Sequence, residues 1–312
     1  FDSKENIVCL NNAGEDVEPF VFTEQNILLH ESQDSVRAGL FSKEFIIPID
    51  INFSNQEGRF VFYAINDAGN IEANGHNEDI PLGGIVDNTD FDKDGPQIYA
   101  YLNNEEFQNG GTVNATPLFV AQLSDASGIS SSGNGIGHDL SLCIDGRSDL
   151  TYNINEYYSN EFGDFTKGTV AYNIPTLTNG AHSLTFRAWD VLNNTSQIQL
   201  DFVVDNTMAT DILHMVASQN PATTGTNFMI SYDLPGSECD FIVEVFDFSG
   251  RRIWMHEEKA SEPSGVYSVA WNLTNGAGSR VGTGIYLYRC SVRCGDSKWT
   301  TKAQKIVVLN NK

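Results

Sequence analysis

Two stretches of this 312-residue chain hold residue types that could do chemistry. In His138-Asp139-Leu140-Ser141-Leu142-Cys143 an imidazole, a carboxylate and a thiol lie close together. A thiol nucleophile needs such partners, a base to ionise it and a carboxylate to orient that base. Spacing argues against this use. On an extended strand, positions 138 and 143 face opposite sides and sit about 16 Å apart, beyond any hydrogen bond. His138 is therefore expected to be structural, bonding the backbone of the Gly-rich loop Ser130 to Gly137. That loop lacks the lysine of a phosphate-cradling loop.

The second stretch is Asp90-Phe91-Asp92-Lys93-Asp94-Gly95, with carboxylates at alternate positions before a glycine. Asp90, Asp92 and Asp94 could wrap Ca²⁺ as the first half of an EF-hand loop does. The twelfth position of that register is Tyr101, where a bidentate glutamate belongs. The other reading is an acidic solvated turn between two domains. No other cofactor is implied, and the six His (His30, His76, His138, His182, His214, His256) are scattered singly, without zinc-ligand spacing.

Charge narrows the partners. The formal net charge of -23 excludes a nucleic-acid phosphate backbone. Residues 1–88 carry 16 Asp and Glu against 4 Lys and Arg, residues 89–207 carry 15 against 4, and residues 208–312 carry 10 against 10. The neutral last block ends in a basic stretch, with Arg289, Arg293, Lys298, Lys302, Lys305 and Lys312 against Asp296. Such a surface suits an acidic partner or an anionic membrane.

Five cysteines, odd in number and widely spread, do not make a disulfide framework. Cys290 and Cys294, on one strand, would lie about 13 Å apart, too far to bridge. They read as small strand hydrophobes. The chain starts at Phe1 with neither an initiator Met nor a signal peptide in view, and reads as a mature piece of a longer protein. No apolar run reaches the ~20 residues that span a bilayer as a helix.

The elements that position these groups are strands. Charged residues are only 19%, aromatic residues 11%, and Gly, Ser, Thr and Asn recur at short intervals, an all-β composition. Alternation predicts strands near 58–65, 97–102, 118–123, 140–144, 169–174, 181–190, 197–204, 227–234, 241–248, 252–259, 266–273, 284–292 and 302–309. The expected architecture is tandem immunoglobulin-like β-sandwich modules. Residues 1–88 form a partial sandwich, 89–207 a full one, and 208–312 a linker and a third sandwich. Trp189 alternates in phase with Arg187 and Thr185, against Leu184, Phe186 and Ala188, and so caps a core edge.

The last block carries Asn220-Pro221, Val245-Phe246-Asp247-Phe248-Ser249-Gly250-Arg251-Arg252, Trp271-Asn272, Gly282-Thr283-Gly284-Ile285-Tyr286-Leu287-Tyr288-Arg289 and Lys305-Ile306-Val307-Val308. It resembles the C-terminal sorting domains of the Bacteroidetes type IX secretion system. The middle block, with Asp94-Gly95-Pro96-Gln97-Ile98, Asp125-Ala126-Ser127-Gly128-Ile129, Tyr157-Tyr158 and Gly180 to Asp190, is similar to the region behind the peptidase domain of type IX sortases. Phe45 to Ile51 and Phe60 to Ala64 are similar to the segment before that domain.

The resemblance implies a gingipain-like cysteine transpeptidase at the outer-membrane surface, which removes the sorting domains of cargo and joins cargo to anionic lipopolysaccharide. Its catalytic Cys and His would lie outside these residues, so none of the five cysteines is carried over as the nucleophile. The implied partner of the last module is an outer-membrane β-barrel, with Tyr286, Tyr288, Arg289, Arg293 and Lys298 as docking residues. The alternatives are the end of a secreted cargo adhesin or protease, whose last module is cleaved, and a Ca²⁺-stiffened stalk.

Overall fold

The structure is a computed structural model that describes residues 1–10, 18–52, 55–65, 71–84, 92–133, 137–207, 213–233, 239–260, 264–294 and 297–309. Among them there is no α-helix, only strands and two short 3₁₀ turns. The chain is all-β, built of tandem immunoglobulin-like sandwiches.

The described residues of the middle module form nine strands: β5 (Gln97–Leu102), β6 (Thr112–Val113), β7 (Leu118–Ser124), β8 (Ser141–Ile144), β9 (Thr151–Asn153), β10 (Tyr158–Glu161), β11 (Asp164–Asn173), β12 (Gly180–Trp189) and β13 (Thr195–Val204). One sheet runs β10-β11-β7-β5 and the other β6-β13-β12-β8-β9. Their inner faces meet at Phe119 and Phe186, whose ring centroids are 5.0 Å apart. Leu184, Phe186 and Ala188 of β12 are buried and Trp189 is half-buried, as alternation requires.

Strand β7, Leu-Phe-Val-Ala-Gln-Leu-Ser, is apolar almost throughout because both its faces are covered. Phe119, Ala121 and Leu123 fill the sandwich. Leu118 and Val120 point the other way, into a patch shared with Tyr101, Ala171, Val216 and Met229. The last two belong to the third module, so the modules are packed together, each buried side chain contributing roughly 1.5–3 kcal/mol.

That third module comprises β14 (Leu213–Ala217), β15 (Thr226–Asp233), β16 (Cys239–Phe246), β17 (Arg252–Ala260), β18 (Ser264–Trp271), β19 (Gly284–Cys294), β20 (Ser297–Thr300) and β21 (Gln304–Val308). Sheet β14-β15-β18 faces sheet β17-β16-β19-β20, and β21 also pairs with β19. The core centres on Trp271, which is fully buried, stacks on Phe228 and donates from Nε1 to Thr274 O at 2.9 Å. The stretch expected as a linker thus contains β14, in register with β15.

The first block contributes two ribbons, β1 (Glu5–Val8) with β2 (Val21–Glu24) and β3 (Glu57–Ile65) with β4 (Glu72–Pro81). Phe45 stacks on His30 at 4.5 Å and packs near Phe60.

The cysteines need a correction. Cys239 is disulfide-bonded, whereas Cys9, Cys143 and Cys290 are free. Cys239 starts β16, and its spacing from the other cysteines in the sequence does not reveal the bond. A disulfide suits an extracytoplasmic location.

Candidate functional site

Of the sequence's Asp90, Asp92 and Asp94, the structure describes the last two, and it brings Asp92 into an acidic cluster with residues from elsewhere in the chain. Asp90 lies outside the described residues. Asp94 is exposed and its N–H donates to Asp92 Oδ1 at 3.0 Å. Asp92 instead meets Asp125, just after β7, and Asp190, just after β12; one carboxylate oxygen from each lies within 4.8 Å of the others. Asn194 Nδ2 fixes the segment by donating to Asp92 O at 3.0 Å. Gly95 is needed for close approach, since a Cβ there would sit 2.5 Å from the Thr195 backbone.

Asp190 is fully buried; its Oδ1 accepts from the N–H groups of Leu192 and Asn194, and its Oδ2 from Asn194 Nδ2. Burial raises its pKa against those bonds. Burial likewise pushes Asp125 up to about 6, with the Asp190 and Asp92 charges adding to the shift. Three like charges in partial burial suit a hard, oxygen-preferring cation. Tyr101, the twelfth position of the loop register, is a core residue on β5 and takes no part in this cluster. Asp125 and Asp190 are far from Asp92 in sequence, and no spacing rule could have gathered them.

His138 and Cys143 do not form a dyad. His138 Nδ1 bonds Asp50 Oδ2 at 2.9 Å, and its ring lies 4.4 Å from that of Trp189. This cross-block pair forms because Ile49 N–H donates to Val191 O and delivers the neighbouring Asp50 to the histidine. Cys143 Sγ contacts Arg147 O at 3.5 Å.

On the last module the expected docking residues split between two faces. Along β19, Tyr286, Tyr288, Cys290 and Val292 turn inward. Tyr288 is 3% exposed and its hydroxyl donates to Gln304 Oε1 at 2.7 Å, so its ring belongs to the core and not to a docking surface. Tyr286 packs against that core with its hydroxyl donating to Gly282 O. Arg289 and Arg293 point outward and are already engaged. Arg289 binds Glu244 Oε2 through Nε at 2.9 Å and Nη2 at 2.8 Å, and Arg252 Nη1 takes Oε1 at 3.0 Å. Burial would raise the Glu244 pKa, but these arginine bonds prevail and hold it below the usual range. Arg293 pairs with Asp240 at 2.9 Å, and Lys298, opposite Arg293 on β20, is exposed. This outer face is a cross-braced sheet of mixed charge.

The joint between middle and last modules holds a further titratable group. Glu161 on β10 is 3% exposed, beside Lys167, Asp164 and Gln219; burial first, then Asp164, pushes its pKa up to about 7 despite Lys167. Around it Asn227 Nδ2 donates to Ser159 Oγ, Thr169 Oγ1 to Ser218 O, and Thr224 Oγ1 to Phe162 O.

Fold and sites together define a multi-module β-sandwich region without a catalytic constellation among the described residues. No protein-family model matches the chain, and no curated protein matches it. Among solved structures, it is similar to dimeric latent PorU from Porphyromonas gingivalis, at 33% identity and a TM-score of 0.51. The likeness covers 99% of this chain and 29% of that one, so the chain spans under a third of the neighbour's length. Weaker likenesses are the Ig1-2 module of Drosophila receptor tyrosine phosphatase DLAR (10% identity, 69% of this chain and 98% of that chain, TM-score 0.24) and the C-terminal domain of Streptococcus agalactiae BspA (12%, 68% and 99%, TM-score 0.20). At those scores neither bears on function.

Proposed function

We propose that this chain is the non-catalytic C-terminal region of a cell-surface type IX sortase, a gingipain-like cysteine peptidase that removes cargo sorting domains and attaches cargo to anionic lipopolysaccharide. The first two blocks support the peptidase, and the last module, a sorting-like domain, docks it on an outer-membrane β-barrel. Arg289, Arg293 and Lys298 on the outward face are the contacts. The observation that carries this reading is the likeness to PorU over 99% of the chain. The chain alone should leave a sorting-domain substrate uncut; cleavage by it, abolished by Cys143→Ala, would overturn the reading. The alternative, the C-terminal part of a secreted cargo adhesin or protease, makes the same module a cleavable address.

A second reading concerns the joint between the first two blocks. The convergence of Asp92, Asp125 and Asp190 within 4.8 Å favours Ca²⁺ as a stiffening ion there.

A further inference from the structure

Strand β3 has one edge paired with β4 and one edge open. Backbone direction alternates along it. Gln56 O accepts from Leu82 N–H at 2.9 Å, so positions 56, 58, 60, 62 and 64 aim their backbone groups at β4. Positions 57, 59, 61, 63 and 65 aim the other way. Glu57 O accepts from Gln25 Nε2 on that side. Arg59 makes a reciprocal pair with Phe1 there: Phe1 N donates to Arg59 O at 2.8 Å, and Arg59 N–H donates to Phe1 O at 3.1 Å. That is the close hydrogen-bonded pair of an antiparallel ladder. Beyond it, among the described residues, no strand is paired with the edge at Val61, Tyr63 and Ile65.

Side chains tell the same story. Val61, Tyr63 and Ile65 share one face of the ribbon and are 57%, 63% and 53% exposed. An isolated two-stranded ribbon is marginal in water, and an open apolar edge is a template for another strand.

We infer that this edge receives an extended strand running antiparallel to β3, contributed by polypeptide preceding Phe1 in a longer, PorU-like protein. This rests on the reading of the chain as one region of such a protein, whose solved neighbour is covered over only 29% of its length. The direction and register follow from the Phe1–Arg59 pair. The residues two, four and six positions before Phe1 fall opposite Val61, Tyr63 and Ile65, their N–H and C=O groups exchanging bonds across the edge. The occupant is thus an intramolecular strand that locks the first block to the part of the protein ahead of it.

Amide hydrogen exchange on the 312-residue chain and on the longer native polypeptide tests this. In the short chain the amides of Val61, Tyr63 and Ile65 should exchange much faster than those of Phe62 and Ala64. In the longer polypeptide all three should slow by roughly a hundredfold or more. Val61→Pro removes an edge N–H and an exposed side chain, so it should change the melting of the short chain little and reverse the added protection in the longer one. Phe62→Pro should destabilise both. Unchanged exchange at Val61, Tyr63 and Ile65 in the longer protein overturns the inference. So does protection in the short chain that rises with its concentration, because a second copy would then be the occupant. Either failure leaves the cleavage test of the sortase reading untouched.

Discussion

Asp50 Oδ2 and His138 Nδ1 lie 2.9 Å apart although 88 positions separate them, and the same carboxylate's Oδ1 accepts from Asn193 Nδ2 at 2.9 Å. The first block is thereby tied to the middle sandwich at the edge capped by Trp189. Asp50→Ala should release that tie and speed proteolysis within residues 18–52, while the middle and last modules melt as before. Limited proteolysis followed by mass spectrometry checks both halves of this outcome.

Glu161 sets a pH dependence at the other joint. Its folded pKa, about 7, exceeds the ordinary carboxylate value of 4.5. The folded state therefore holds a proton that the unfolded chain has given up between those values, and stability falls as pH rises through that window. Its favourable contribution is complete below about pH 4.5 and lost above about pH 7. Glu161→Gln should flatten the profile and raise the melting temperature at pH 8.5 with little effect at pH 4.5. Thermal melts across that range decide it.

Glu244 is the hub of the last module's outer face, bound by Arg289 and Arg252. Glu244→Ala leaves two arginines without their acceptor and should cost about 2 kcal/mol. Trp271→Ala, at the centre of the core, should cost about 3–5 kcal/mol. Three of the four tryptophans, Trp254, Trp271 and Trp299, lie in this module, so fluorescence-detected denaturation of Glu244→Ala reads it directly.

The acidic cluster makes its own forecast. Millimolar Ca²⁺ should raise the melting temperature of the middle module, with EDTA reversing the shift. Asp125→Asn should abolish the Ca²⁺ effect without lowering the metal-free melting temperature, since it removes a like charge. An equal Ca²⁺ shift in the variant would exclude the site.

Strand positions were largely legible because each module buries one face of each sheet and period-2 alternation reports that burial. Leu184, Phe186 and Ala188 against Trp189 illustrate it. The polar strand β4, Glu-Ala-Asn-Gly-His-Asn-Glu-Asp-Ile-Pro, was not legible, because it buries almost nothing and is defined by backbone pairing to β3. Tyr288 looked like a surface aromatic beside Arg289 until the register of β19 turned it inward. The acidic site was half legible. Asp92 stood out by its spacing, whereas Asp125 and Asp190 join it only through the fold.

The most direct test of the sortase reading is intact mass spectrometry of the protein recovered from the cell surface. A sortase keeps its last module as an anchor, so the mass should extend through Lys312 with no lipopolysaccharide-sized adduct. Loss of everything from near Asn220, with such an adduct on the new C terminus, would contradict the account and make the chain cargo.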